Sequence, residues 1–151
     1  MKILNRRDFL LLLGAANAAL TVGLPGLAFA DEAAEQKAKA EAAVKAFTGG
    51  KEAAQGSLIL EAPDVAENGA QVPVAISMKG VKPVRVALVV DHNPVPTALD
   101  AAISPKYAGD AKIAVRIKMK RSSLVRAYAY DEKGKLHGAG KNVTVTLGGC
   151  G

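Results

Sequence analysis

Beyond Ser57 the hydrophobic residues recur at every second position. Leu58 and Leu60 open the pattern, and Val72, Val74, Ile76 and Met78 continue it. Val84, Val86, Leu88 and Val90 repeat it, with Val89 on the opposite face. Ile113, Val115, Ile117 and Met119 alternate with Lys112, Arg116 and Lys118. Leu124, Tyr128 and Tyr130 make a further run, and Val143, Val145 and Leu147 close the series around Thr144 and Thr146. A period of two sends successive side chains to opposite faces, so the pattern predicts half-buried antiparallel strands. Asn68-Gly69, Lys79-Gly80 and Lys133-Gly134 read as short turns, while Asn93-Pro94 and Ser104-Pro105 bracket a longer connection. About six or seven short strands over residues 57–147 predict an all-β fold, an immunoglobulin-like antiparallel β-sandwich. A Cys–Trp–Cys core of the antibody kind is absent from the sequence.

Upstream the period turns helical. Residues 31–47 predict a helix, with Asp31, Glu32 and Glu35 in its first turns, where the helix dipole favours acids. Glu35–Lys39 and Glu41–Lys45 are acid-before-base pairs four apart. Ala40, Val44 and Phe47 share one narrow, alanine-rich face, and Gly49-Gly50 ends the helix. A helix-and-linker segment of 31–56 thus precedes the sandwich.

Composition sharpens this. The 151 residues include no Trp, three Phe and three Tyr, so Val, Ala and Ile must fill the core. The formal charge is +6, of which Lys2, Arg6 and Arg7 against Asp8 supply two. The remaining excess suits an anionic ligand, an acidic partner or plain solvation. Nucleic acid is not expected, because stacking aromatics are scarce.

The first residues form an export leader. Lys2, Arg6 and Arg7 precede the apolar run Phe9–Leu13, and an Ala- and Gly-rich stretch follows to Leu24. Pro25-Gly26 is read as a helix break, and Ala28-Phe29-Ala30 fits small-x-small cleavage before Asp31. Arg6-Arg7 with Asp8-Phe9-Leu10 resembles the twin-arginine signal, which exports folded proteins; Asn5 and Leu11 depart from its usual residues. Gly14, Asn17, Gly23 and Pro25 interrupt the apolar stretch and argue against a membrane anchor. The expected signal peptide is residues 1–30 and the expected location is the periplasm.

Enzyme signatures are missing: there is no P-loop, no dinucleotide-binding glycine pattern and no nucleophile elbow. His92, His137 and one cysteine do not make a zinc site, and both histidines read as ordinary surface residues, His137 in a Gly-rich turn. No metal and no cofactor are expected.

The tail, Thr146-Leu147-Gly148-Gly149-Cys150-Gly151, carries the chemistry. A lone cysteine in an exported chain is either reactive or paired with another chain. Cys150 lies beyond the last alternating residue, with Gly148, Gly149 and Gly151 around it, so it does not belong to the core. Three residues past Leu147 span roughly 10 Å when extended. The arm is therefore thin and flexible, suited to entering a narrow cleft, whereas a catalytic group needs rigid placement. An unperturbed thiol, with a pKa near 8.5, is only a few per cent thiolate at pH 7, and an adjacent terminal carboxylate lowers that fraction further. The residues alone leave three readings open: a carrier whose thiol other proteins act on, a non-catalytic module with an intermolecular disulfide, and an exported thiol enzyme.

Gly148-Gly149-Cys150-Gly151 has company elsewhere: Phe47-Thr48-Gly49-Gly50 after the helix, Glu67-Asn68-Gly69 with Val72-Pro73, Asn93-Pro94 after a long strand, and the Arg116-Ile117 strand. With these residues the mature chain and its leader resemble the SoxY family, sulfur carriers of the periplasmic Sox thiosulfate-oxidising system. The family tail carries two glycines after the cysteine, and here there is one. The resemblance implies that Cys150 is loaded covalently with thiosulfate through its sulfane sulfur by a haem-containing Sox enzyme. It implies that a hydrolase then releases sulfate and that a sulfane dehydrogenase, where present, oxidises the remaining sulfur. It further implies a small partner, SoxZ, that lacks its own signal and is exported with the carrier.

Overall fold

The structure, a computed structural model, describes residues 25–104, 106 and 112–147, with side chains from residue 32 onward. The chain divides into two compact units, Met1–Glu32 and Ala33–Gly151. The proposed leader, with Arg6 and Arg7, and the tail residues Gly148, Gly149, Cys150 and Gly151 lie outside the described residues.

One helix, α1 (Pro25–Thr48), precedes eight strands: β1 (Leu58–Glu61), β2 (Val65–Asn68), β3 (Val72–Met78), β4 (Pro83–Val90), β5 (Thr97–Ala102), β6 (Ile113–Ile117), β7 (Ser123–Asp131) and β8 (Leu136–Leu147). The helix begins earlier than residue 31, and Pro25 starts it instead of breaking a helix. Proline suits a first helical position, where its missing N–H would be unpaired anyway. Gly49 and Gly50 end α1 as expected, at φ values of 62° and 77°. Gly49 N–H caps Lys45 O at 2.9 Å.

The strands form two sheets, one in the order β1-β3-β6 and the other β2-β8-β7-β4-β5. Their facing sides share a core in which Val72, Val86, Leu88, Val90, Val125, Ala127 and Ala129 are fully buried. The fold is thus an all-β sandwich. Two features depart from the expected antiparallel set. β2 pairs with β8 in parallel, Ala66 opposite Val145 and Asn68 opposite Leu147. The connection between Asn93 and Ser104 contains β5, which pairs with β4 and sends Leu99 and Ala101 into the core.

The outer face of the five-stranded sheet carries the Ala33–Thr48 part of α1. Leu124, Tyr128 and Tyr130 of β7 lie on this outer face, while Val125, Ala127 and Ala129 face the other sheet. Phe47 packs its ring 5.5 Å from Tyr130 and 6.4 Å from Tyr128. The Tyr130 hydroxyl donates to Thr48 O at 3.0 Å, which satisfies its polar end beneath the helix. Ala40 and Phe47 are buried as their shared face predicts, and Gln36 joins them. Glu35 bonds Lys39 at 2.7 Å, but Glu41, expected to pair with Lys45, bonds Arg126 at 2.6 Å. The chain after α1 then crosses β8 so closely that a Cβ on Gly138 would sit 2.8 Å from Ala53 Cβ.

His137 is not a surface histidine in a turn. It belongs to β8, opposite Ala129, with a side chain 3% exposed. The small residues of β7 leave room for its ring inside the sandwich, and Asp131 Oδ2 meets its Nε2 at 2.9 Å. Asp131 Oδ1 also accepts the backbone N–H groups of Lys133 and Lys135, both at 2.9 Å. Burial alone pushes the Asp131 carboxyl up, but His137 and these two N–H groups together hold it below the usual carboxylate range.

Candidate functional site

The candidate cysteine follows β8 in sequence, so the end of that strand is the exit from the described sandwich nearest to it. β8 is long because it is paired on both sides: β7 along Leu136–Val143 and β2 along Thr144–Leu147. Its last residues are fastened one by one. Ser122 Oγ accepts Val145 N–H at 2.9 Å. Thr146 Oγ1 donates to Glu67 O at 3.0 Å. Gly69 N–H donates to Leu147 O at 2.8 Å. Leu147 itself is 70% exposed, as is fitting for a residue at an exit and not in a core.

Two loops surround this exit. Asn93 is 8% exposed and spans between them: its Nδ2 donates to Lys118 O at 2.6 Å and its Oδ1 accepts from Lys120 N–H at 3.0 Å. His92 N–H donates to Ser123 Oγ at 3.0 Å, and its ring Nδ1 lies 3.3 Å from Ser122 O. Asp91, just before it, is 5% exposed and bonds Arg126 at 2.7 Å. Arg126 also donates to Glu41 of α1, and this bond holds the Arg126 guanidinium well above its ordinary pKa despite partial burial. The same bond holds the Glu41 carboxyl below its usual range.

The two histidines now separate. His137 stands ten strand positions before Leu147, about 33 Å away at the rise of an extended strand. A tether of roughly 10 Å cannot cover that distance, and His137 is enclosed besides. A Cys150–His137 nucleophile pair is therefore excluded by geometry. His92 lies at the tail's end of the sandwich. Among the described residues no three His, Cys, Asp or Glu side chains gather as a metal site.

Sequence pattern missed Asn93, Ser122 and the Glu41–Arg126–Asp91 chain. Asn93 was visible only as half of an Asn-Pro turn signal; its partners lie 25 and 27 residues away, beyond any local period.

Residues 44–150 match the family described as sulfur oxidation protein SoxY, a span that runs from α1 through both sheets and includes the tail cysteine. The chain belongs to the SoxY family. Among solved structures, the sulfur carrier protein SoxY from Chlorobium limicola f thiosulfatophilum aligns with a TM-score of 0.63 at 23% identity, covering 76% of this chain and 98% of that one. A superoxide reductase (neelaredoxin) from Ignicoccus hospitalis, in a variant form, aligns at 0.51 and 23% identity, covering 70% and 86%. At these identities both likenesses concern the fold. No curated protein matches the chain.

Proposed function

We propose that this protein is a periplasmic carrier of the Sox thiosulfate-oxidation system, holding sulfur intermediates covalently on Cys150 and presenting them to the system's enzymes. The observation that carries the reading is the family match, which continues past the last strand to residue 150. The fastening of β8 up to Leu147 supports it, because a firm root lets a short tether enter a cleft without loosening the sandwich.

In this reading the Cys150 thiolate and the sulfane sulfur of thiosulfate form a disulfide bond, giving a cysteine S-thiosulfonate. The two electrons released pass to a haem-containing Sox enzyme. A hydrolase then adds water across the terminal sulfur–sulfur bond, so that sulfate and two protons leave and a persulfide stays on Cys150. A sulfane dehydrogenase, where present, oxidises that remaining sulfur. The carrier performs none of these steps itself and is not an enzyme. Gly148, Gly149 and Gly151 keep the arm thin, and the sandwich is of the immunoglobulin-like kind. A SoxZ-like subunit is its stable partner. Arg6 and Arg7 direct export by the twin-arginine route, with cleavage near Ala30 leaving the helix-and-linker segment 31–56, the sandwich 57–147 and the arm 148–151.

Mass spectrometry of the purified protein incubated with thiosulfate and the Sox enzymes tests this. The expected result is a thiosulfonate adduct on Cys150 that a reductant removes. Thiosulfate consumed while Cys150 stays unmodified would sink the carrier reading.

A further inference from the structure

Asn68-Gly69 is the only Asn-Gly pair in the sequence. In such a pair no side chain shields the glycine nitrogen, so it can attack the asparagine side-chain amide. Here the two halves sit in unlike surroundings: Asn68 is exposed and Gly69 is buried. Asn68 ends β2 opposite Leu147, the last residue of β8. The Gly69 N–H, on the nitrogen that would attack, donates to Leu147 O at 2.8 Å. Gly69 O accepts from Met119 N–H at 2.7 Å, so the glycine is held on both sides. Asn68 Oδ1 accepts from Ala70 N–H at 2.8 Å, which fixes the side-chain amide as well. The extended backbone of Asn68 keeps its Cγ away from the Gly69 nitrogen.

We propose that Asn68-Gly69 is a latent self-modification site, in which opening of the β2–β8 pairing lets Asn68 deamidate through a cyclic imide and the isoaspartate product keeps the end of β8 unfastened. The inference goes beyond the carrier reading and rests on none of it. Ring closure needs a rotation of the Asn68–Gly69 link and a Gly69 N–H that is no longer donated. Both follow when β2 lifts from Leu147. β2 is suited to lift, because it is an edge strand of four residues with only Ala66 buried. Hydroxide then takes the Gly69 proton, the nitrogen bonds to Asn68 Cγ, the Cγ–Nδ2 bond breaks, and ammonia leaves with a proton from water. Water opens the imide at either carbonyl, and no electrons are exchanged. Opening at Cγ gives aspartate, whose carboxylate can still accept from Ala70 N–H. Opening at the main-chain carbonyl gives isoaspartate, which routes the backbone through Cβ and Cγ and lengthens it by a methylene. Gly69 then no longer reaches both Leu147 O and Met119 N–H, and the last pairing of β8 cannot re-form.

Peptide mapping by mass spectrometry tests this on the full chain in mildly alkaline buffer. Aspartate and isoaspartate share one mass, and labelling with an isoaspartyl methyltransferase tells them apart. Conversion at position 68 is expected to be about thirty-fold slower in the folded protein than in the chain unfolded by guanidinium, the factor for opening two backbone hydrogen bonds of ordinary net strength. Thr146→Val removes the bond to Glu67 O beside Asn68 and is expected to speed conversion several-fold in the folded protein. Gly69→Ala suits a backbone that is not left-handed at this position. It is expected to slow conversion in the unfolded chain, because a Cβ crowds the attacking nitrogen. Once isoaspartate has formed, amide exchange at Gly69 and Met119 is expected to rise, while Asn68→Asp leaves both protected. Equal rates in the folded and unfolded chains, a folded-state rate unmoved by Thr146→Val, or an isoaspartate form with both amides still protected would each overturn the proposal.

Discussion

Arg126 of β7 donates to Glu41 of α1 at 2.6 Å, and with the same nitrogen it reaches Asp91 at 2.7 Å. One guanidinium therefore fastens the helix to the sheet and the sheet to the loop that begins at Asp91. Its side chain is only 16% exposed, and that of Asp91 7%, so the inner half of this pair is largely shielded from water. Replacing Arg126 by Gln leaves the Asp91 carboxylate buried with a weaker partner. The expected cost is about 2 kcal/mol, since a charge-assisted hydrogen bond is lost and a buried acceptor is left short of donors. Urea unfolding reads the loss. Amide exchange is expected to rise first in residues 33–48, because their outer clamp is gone.

Asp131 gives the sandwich a defined response to acid. Its carboxyl is depressed in the folded state, so folding is favoured by its ionised form. That contribution is present above the unfolded value of about 3.9 and disappears as pH falls through the lower folded value. Stability measured against pH is expected to drop below about pH 4, and Asp131→Asn is expected to flatten that drop while weakening the fold at neutral pH. An equally steep acid limb in the variant would assign the drop to other carboxylates.

Asn93→Ala removes a side chain that makes two hydrogen bonds to backbone 25 and 27 residues distant. The expected destabilisation is about 2 kcal/mol, since a carbonyl and an N–H lose their partner. Urea unfolding reads the loss, and amide exchange is expected to rise in residues 118–120.

The tail permits a cleaner separation of folding from loading. Cys150→Ser is expected to abolish sulfur loading and to leave the unfolding free energy within about 0.5 kcal/mol of the unaltered protein, as for a surface change. Gly148→Val with Gly149→Val is expected to slow loading, because branched side chains stiffen and thicken the arm. Loading rates from timed mass spectrometry decide both. Unfolding of the serine variant, or unchanged loading with valines, would contradict the placement of the thiol outside the core and the need for a thin arm.

The strands most legible in the sequence were those with branched residues at alternate positions, β3, β4 and the second half of β8. There the hydrophobic effect acts on one face and the pattern records it directly. β5 (Thr97–Ala102) escaped because TALDAA contains little that favours a strand; it exists because β4 offers an unpaired edge and Leu99 and Ala101 reach the core. β2 escaped because only Ala66 of its four residues is buried. In β7 the large residues mark the helix-facing side and the alanines the sandwich side, so size alone does not tell which face is inner. The first half of β8 looked like a turn because Gly138 and Gly140 punctuate it. Gly138 is needed where Ala53 passes over the strand, a demand made by a segment 85 residues earlier. The candidate cysteine stood out in the sequence because isolation on glycines is a local feature, and it lies outside the described residues. The Asn93 clamp did not stand out, because hydrogen bonds between distant loops leave no periodic trace.

The two-sided pairing of β8 has a mechanical consequence. A partner that grips the chain beyond Leu147 and draws away pulls β8 along its own axis. The hydrogen bonds to β2 and β7 run across that axis, so the load is shared among many of them at once instead of opening one pair at a time. The parallel strand β2 is engaged over the last four residues, where such a load first arrives. A pull applied beyond Leu147 would thus meet the ladder of β8 as a whole instead of fraying the sandwich from its end.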